Sequence, residues 1–389
     1  MGHVFESLCA EIAAVGVATA IGRVVEVARG TLRVAGLESV ARQGDRVVID
    51  GRLGGEVLTL SRDGATVLAD GPVDGLAIGC EVALTGAAGI APDDSWIGRI
   101  VDPYGRPMDG RALFRGPVMR PLQAEAPAAA ARRRMGGRIS TGVAIFDTLL
   151  PVVRGQRIGL FAGSGVGKSS LLAKFARGVD ADVVVIALVG ERGRELREFV
   201  DRVLGPEGMA RSVLVTATSD QSALARRRCA QAAMTVAEHF RAQGLHVLYL
   251  ADSITRFAEA HREVALASGE SAALRGYPPS VAQAIMSLAE RAGPGPEGEG
   301  DITAVFSVLV AGSDMEETIA DILRGVLDGH VVMDRKIAER GRYPAIDLLR
   351  SVSRSLPEAA SAEENALISR ARQLLGAWDR AEMMIQAGL

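Results

Sequence analysis

Residues 157–176 read RIGLFAGSGVGKSSLLAKFA: an apolar run, then a glycine-rich turn, then a stretch with helical character. The turn matches the spacing G-x-x-x-x-G-K-[S/T], with Ala162 at the first glycine position and Gly167, Lys168 and Ser169 at its end. Such a turn directs successive backbone N–H groups at a phosphate, beside the positive end of the following helix. The order strand, turn, helix therefore predicts a phosphate-binding loop in an α/β fold.

The residues of this loop have separate predicted roles. Lys168 is expected to reach the β- and γ-phosphates of a nucleotide, and Ser169 to ligate Mg²⁺. Lys168 is one of only three lysines among 44 basic residues, which fits a position that needs a compact point charge. The predicted nucleotide contacts are Gly163, Ser164, Gly165, Val166, Gly167, Lys168, Ser169 and Ser170.

The composition is that of a globular protein with two or three domains. Of its 389 residues 48% are hydrophobic and only 4% aromatic, so we expect aliphatic cores. The formal net charge of −3 excludes a global basic field that would attract nucleic acid or anionic membrane. Cys9, Cys80 and Cys229 are too widely spaced for a disulfide framework, which favours a reducing cytoplasm.

Patterning along the chain predicts five segments. A helical segment over 1–18 precedes a small β-barrel over 19–90, where short β-rich runs are divided by Gly and Asp. Residues 91–137 are interpreted as a connecting segment, and 138–356 as the α/β domain, whose strands are apolar on both faces, as in a covered parallel sheet. Residues 357–389 are expected to form a helical domain.

Two smaller features accompany this division. Phe5, Leu8, Ile12 and Val15 share one helical face, which either docks a partner or packs on the barrel of the same chain. The arginine run 132–134 is expected to be solvated, because short charge runs are usually surface features.

Acidic residues end two of the predicted strands. HVLYLADS ends at Asp252, which either holds Mg²⁺ or caps the next helix, and the upstream loop favours the metal. The run VVVIALVGERGRE leads into Glu191 and Arg192. Glu191 could orient an attacking water, but its spacing alone favours a surface salt bridge with a nearby arginine.

The base of the nucleotide is constrained by two residues. Guanine readers use an Asn-Lys-x-Asp motif, and Asn365 in the helical tail is the only asparagine, which argues against a GTPase. Tyr343 offers an aromatic ring for stacking on a purine, although a tyrosine before proline more often packs internally.

Seven stretches of the chain carry a family resemblance. They read GQRIGLFAGSGVGKSS, VGERGRELREF, YLADSITRFAEAHRE, GYPPSV, LAERAG, GVLDGHVV and RYPAIDLLRSVSR. Together they closely resemble the flagellar protein-export ATPase, which with its type III secretion relatives is similar to the α and β subunits of the rotary ATP synthase. The resemblance extends from about Ile21 to the end and implies a RecA-like core in a homohexamer, with ATP and Mg²⁺ at subunit boundaries.

The resemblance also implies roles for single residues. Glu191 is expected to activate water, and Arg192 to lie near the γ-phosphate. Asp252 resembles the Mg²⁺-associated carboxylate at a strand end, and Tyr343 the aromatic residue beside adenine. Arg354 in SVSRS resembles the arginine finger that reaches into the neighbouring subunit's site. For Glu191 the resemblance reverses the interpretation from spacing alone.

The implied function is Mg²⁺-dependent ATP hydrolysis that energises export of flagellar or type III secretion proteins, by unfolding them or releasing chaperones. The implied partners are a stator-like regulatory subunit, the export-gate membrane complex, export substrates and chaperones, and no nucleic acid. The implied location is cytoplasmic, peripheral to the inner-membrane export apparatus. Residues 311–325 (AGSDMEETIADILRG) depart from the more acidic family version, and the helical domain is expected to be incomplete where relatives continue.

Two alternatives come from other functional classes. A hexameric nucleic-acid translocase of the transcription-terminator type needs aromatic side chains on the barrel for base stacking, and residues 19–84 contain none. A non-catalytic subunit of the rotary-synthase α type lacks the catalytic carboxylate, so Glu191 argues against it. The choice between flagellum and injectisome stays open, with a weak preference for the flagellum.

Overall fold

The computed structural model describes residues 2–13, 18–28, 30–310 and 315–386. Six strands of this described chain close into the predicted N-terminal barrel, in the order β1-β2-β5-β4-β3-β6. Alternate residues of β2 and β3 point inward, and the barrel core is aliphatic, as the composition predicts. The barrel strands are β1 Ile21–Val27, β2 Thr31–Ala35, β3 Arg46–Ile49, β4 Leu53–Ser61, β5 Gly64–Ala69 and β6 Glu81–Gly86.

Helix α1, Gly2–Ala13, precedes the barrel. Its Ser7 is buried, and the Ser7 Oγ accepts a hydrogen bond from the backbone N–H of Arg115 at 3.0 Å. Phe5, Leu8 and Ile12 are 67%, 51% and 64% exposed, while Val15 lies outside the described residues. The described part of the apolar face is therefore open to solvent and does not pack on the barrel.

A second sheet forms the core, with nine strands in the described part of the chain. Along its main path the order is β17-β16-β10-β15-β13-β11-β12-β8, and β14 pairs with β15. Neighbours are parallel from β16 to β8, whereas β17 runs antiparallel to β16. These strands, with the β7/β9 pair, are β7 Gly89–Ile90, β8 Arg99–Val101, β9 Arg120–Pro121, β10 Arg157–Ala162, β11 Val183–Glu191, β12 Ser212–Thr218, β13 His246–Asp252, β14 Gly293–Pro294, β15 Asp301–Leu309, β16 Gly329–Met333 and β17 Ile346–Ser353.

Helices connect these strands, and the sheet separates two large apolar clusters that consist mainly of aliphatic side chains. The covered parallel sheet predicted from the apolar strands is thereby confirmed. A π-helical turn at Phe199–Leu204 follows α4. The helices are α2 Ala144–Thr148, α3 Lys168–Gly178, α4 Gly193–Glu198, α5 Gly205–Met209, α6 Ala223–Arg241, α7 Ile254–Ala267, α8 Pro279–Arg291, α9 Thr318–Val326, α10 Arg335–Glu339 and α11 Ala362–Gln386.

The segment 91–137 is more than a connection. Its strand β8 pairs with β12 and extends the core sheet, with Arg99 opposite Val213. The expectation that the arginine run is solvated is wrong for two of its residues. Arg132 Nη1 donates to the carbonyl of Ala292 at 3.0 Å, and Arg133 pairs with Asp301 at 2.7 Å. These side chains satisfy carbonyl and carboxylate oxygens around the β14–β15 hairpin, which the sequence pattern does not reveal. The domain limits themselves stay predictions.

A buried ion pair joins the barrel to the core. Arg227 on α6 binds the carboxylate of Glu56 on β4, and both side chains are over nine-tenths buried. Removal of either partner would leave a buried charge uncompensated, so the pair constrains how the barrel sits on α6.

No helix in the described ranges is both long and apolar enough to cross a membrane.

Candidate functional site

The glycine-rich loop joins the end of β10 to the start of α3, as its sequence predicts. Gly165 and Gly167 have φ values of +78° and +88°, a left-handed conformation that side chains with a Cβ rarely adopt. Val166 is buried beneath the loop, while Ser164, Ser169 and Ser170 are exposed at its mouth. The loop thus presents backbone and hydroxyl groups at the N-terminus of an eleven-residue helix, an arrangement that fits an anionic phosphate.

Tyr343 lies against this loop. A Cβ added to Gly167 would come within 3.5 Å of two carbons of the Tyr343 ring. The tyrosine is 62% exposed, so it is not the internal packing residue that the alternative describes. Its ring is available beside the loop, and its contact with adenine stays a prediction.

Lys168 binds the carboxylate of Asp252, and both side chains are at least nine-tenths buried. Asp252 ends β13, and the register of Ala251 with Phe306 on β15 puts Asp252 beside Ser307. The Ser307 hydroxyl donates to the same Asp252 oxygen, Oδ1, at 2.7 Å. One carboxylate oxygen therefore accepts bonds from both Lys168 and Ser307.

The helix-cap alternative for Asp252 is wrong. The N-cap of α7 is Ser253, whose hydroxyl accepts a hydrogen bond from Arg256 N at 3.4 Å. Asp252 is thereby available for another task, and with the Ser169 hydroxyl it provides oxygen donors of the kind that Mg²⁺ prefers. These residues fit the metal that the loop motif implies.

Glu191 lies at the end of β11, the strand next to β13. Burial raises the pKa of Glu191 to about 7, assisted by the charge of Asp252 and a hydrogen bond with Glu195, while Lys168 opposes the shift. The salt bridge expected from spacing forms instead between Arg192 and Glu195, at 3.0 Å on the exposed side of α4. Glu191 is therefore a partly buried carboxylate poised to exchange a proton near neutral pH.

Arg354 lies at the end of the core strands that is farther from the glycine-rich loop. Ser353 pairs with Gly329 at the start of β16, and Arg354 N donates to the Asp328 carbonyl at 3.0 Å, level with Arg157. Since β10 is six residues long, Arg354 lies roughly 17 Å from the loop along the strand direction. Its exposed guanidinium donates to the Arg324 carbonyl at 3.2 Å. The structure does not bring Arg354 to the loop of its own chain.

The sequence reasoning missed two residues, Ser307 and Glu195. Ser307 is a fully buried hydroxyl in the strand DITAVFSVL, and a polar residue amid apolar ones is the signal that could have identified it. Glu195 follows Glu191 by four residues, and its role depends on how the chain turns after β11. The segment 311–325 lies partly outside the described residues, which exclude 311–314.

Comparisons with known proteins identify the family of the chain. A family model described as the ATP synthase alpha/beta family, nucleotide-binding domain, matches residues 142–353. The flagellum-specific ATP synthase of Caulobacter vibrioides is 44% identical over 98% of this chain and 88% of its own. The type 3 secretion system ATPase of Xanthomonas euvesicatoria is 42% identical over 97% of this chain and 86% of its own.

Solved structures give the same result. The assembled ATPase EscN from the type III secretion system of enteropathogenic E. coli superposes with a TM-score of 0.87 at 37% identity, covering 94% of this chain and 89% of that chain. EscN in complex with its central stalk EscO superposes with a TM-score of 0.86 at 38% identity, covering 94% and 88%. These similarities support the protein-export interpretation and not the transcription-terminator alternative. The chain therefore belongs to the ATP synthase alpha/beta family, among the flagellar and type III secretion ATPases.

Proposed function

We propose that this ATPase uses Mg²⁺ and ATP to energise protein export through a flagellar or type III secretion apparatus, by unfolding substrates or releasing their chaperones. ATP hydrolysis is supported by one observation. Lys168, Asp252 and Glu191 lie close together at the carboxyl ends of neighbouring parallel strands. A subunit without catalysis would not need a water-activating carboxylate beside its phosphate loop.

The residues of the loop divide the work of binding. The loop N–H groups and the Lys168 ammonium hold the phosphates, so Lys168 leaves Asp252 when the nucleotide enters. Ser169 and Asp252 would hold Mg²⁺, directly or through water, and the metal would supply positive charge beside the β- and γ-phosphates. The exposed ring of Tyr343 covers one face of the adenine, and the Arg192 side chain lies near the γ-phosphate.

Glu191 orients the attacking water and accepts its proton. A pKa of about 7 matches this task, because a general base works best when its pKa lies near the working pH. The neighbouring Glu195 holds the Glu191 carboxyl on the side of the site next to Asp252.

Arg354 acts on the neighbouring subunit in a homohexamer. Its position at the edge opposite the loop supports this role, since it is too far from its own loop to contact a phosphate there. In a ring, each subunit contacts the next head-to-tail. Such a contact would bring the surface that carries Arg354 in one subunit to the surface that carries the glycine-rich loop in the next. The assembled state of the EscN ATPase supports a ring for this chain as well.

The exposed face of α1 fits a stator-like regulatory subunit, because Phe5, Leu8 and Ile12 are each more than half exposed in the described part of the chain. The export-gate complex, substrates and chaperones complete the proposed partners, and no nucleic acid is among them. The ATPase works in the cytoplasm, peripheral to the inner-membrane apparatus. Relatives of both the flagellar and the type III secretion kind are similar to the chain, so the proposal covers both systems. Loss of motility or of effector secretion on gene deletion distinguishes them.

ATP hydrolysis by the purified protein tests the proposal. Lys168→Ala is expected to abolish Mg²⁺-dependent hydrolysis, because the β- and γ-phosphate charge loses its partner. Lys174→Ala is the matched control, since Lys174 is an exposed lysine on the same helix. Normal turnover by the Lys168→Ala enzyme would refute the assignment of the loop.

A further inference from the structure

The hydroxyl of Ser307 lies between the glycine-rich loop and Asp252. Its strand, β15, lies between β10, which leads into the loop, and β13, which ends in Asp252. In the parallel register Ser307 faces Leu160 of β10 on one side and lies beside Asp252 on the other. Ser307 is fully buried, and its hydroxyl donates to Asp252 Oδ1 at 2.7 Å.

On the proposed function, a nucleotide takes Lys168 away from the Asp252 carboxylate. Lys168 and Ser307 both donate to Asp252 Oδ1. Once Lys168 moves to the phosphates, Ser307 is the side-chain donor that still holds this oxygen. A carboxylate with a fixed donor keeps its orientation, and donors behind a metal-binding group commonly determine metal affinity.

We propose that Ser307 is a positioning residue, which keeps Asp252 aimed at the Mg²⁺ site after Lys168 has left. This inference rests on the proposed function, since it concerns the metal of the same site. It goes further, because it assigns to a residue of β15 the orientation of the metal-binding carboxylate while a nucleotide is bound. A purely structural role for the hydroxyl predicts instead that its removal affects folding stability and leaves metal binding intact.

Mn²⁺ binding to the ADP-loaded full-length protein separates these two roles, with free Mn²⁺ measured by electron paramagnetic resonance. Ser307→Ala is expected to weaken Mn²⁺ binding about tenfold, the lower end of the effect of such outer donors. Ser307→Thr keeps the hydroxyl and is expected to retain wild-type affinity. Ser212→Ala is the matched control, because Ser212 is also fully buried on the same sheet and its hydroxyl donates at 2.6 Å to the Gly208 carbonyl.

Two results would overturn the inference. One is Mn²⁺ affinity in Ser307→Ala that stays within about twofold of wild type, well below the effect expected for an outer donor. The other is an equal loss in Ser307→Thr and Ser307→Ala, which would assign the effect to packing and not to the hydroxyl. A wild-type protein that binds ADP and Mn²⁺ but does not hydrolyse ATP would refute the proposed function, while the variant comparison would still decide the role of Ser307.

Discussion

Mixing two inactive variants tests whether Arg354 acts on a neighbouring subunit. Arg354→Ala keeps Lys168 and Glu191, and Lys168→Ala keeps Arg354. If each site takes its loop from one subunit and Arg354 from the next, an equal random mixture completes about one site in four in a head-to-tail ring. If Arg354 serves its own chain, no subunit in the mixture has a complete site. The roughly 17 Å between Arg354 and its own loop, from the strand rise, favours the first case.

The assay measures phosphate release from rings reconstituted at equal subunit ratios. Arg354→Ala alone is expected to lose about 10³-fold in turnover, the scale on which arginine fingers act, and to keep ATP binding. The matched control mixes Lys168→Ala with Glu191→Gln. Both of those changes affect the same subunit's side of the site, so this mixture is expected to stay inactive.

Formation of mixed rings is checked by two affinity tags before activity is measured. Mixed rings of Arg354→Ala and Lys168→Ala that form and bind ATP but remain as inactive as the control mixture would contradict the shared site. A melting temperature for Arg354→Ala well below that of the wild type would indicate a structural role within the chain instead.

Further predictions concern the base, the barrel and the N-terminal helix. Glu191→Gln should keep ATP binding and lower turnover by about 10²–10⁴-fold, as expected for loss of a general base, and equal losses of binding and rate would contradict this. Because only ionised Glu191 can accept a proton, kcat/KM should rise as pH increases through about 7, and this limb should disappear in Glu191→Gln. Arg227→Met should lower the free energy of unfolding in urea by about 3–5 kcal/mol, with recovery in the Arg227→Met, Glu56→Leu double variant. Deletion of residues 2–13 should abolish pull-down of the stator homologue encoded by a neighbouring gene, and unchanged pull-down would refute docking on α1.

Local chemistry made the loop predictable. The glycines at 165 and 167 are required by left-handed backbone conformations, and Lys168 and Ser169 follow at a spacing that few other structures use. Asp252 could be identified as a strand end, and the upstream loop favoured metal binding over helix capping. The cap by Ser253 excluded the helix-cap role, and the register with β15 showed which hydroxyl lies beside Asp252.

Long-range arrangement was harder to infer. The spacing around Glu191 suggested a salt bridge, because a single stretch of sequence does not show that β11 lies next to β13. Strand β8 was missed for the same reason. Its three residues are recognisable as a strand only from their pairing with β12. The antiparallel direction of β17 determines at which end of the core strands Arg354 lies. The sequence of a strand does not show whether it runs parallel or antiparallel to its neighbour.

The bond between Lys168 and Asp252 also sets an energetic cost for any anion that takes Lys168 as its partner. A free inorganic phosphate would have to draw Lys168 away from a carboxylate that is only 5% exposed. Separation of such a buried pair costs about 3–5 kcal/mol when nothing replaces the lost partner. A nucleotide that carries Mg²⁺ would supply a replacement cation to the carboxylate when its phosphates take the lysine. The buried pair therefore favours a ligand that carries its own counter-ion over a single phosphate.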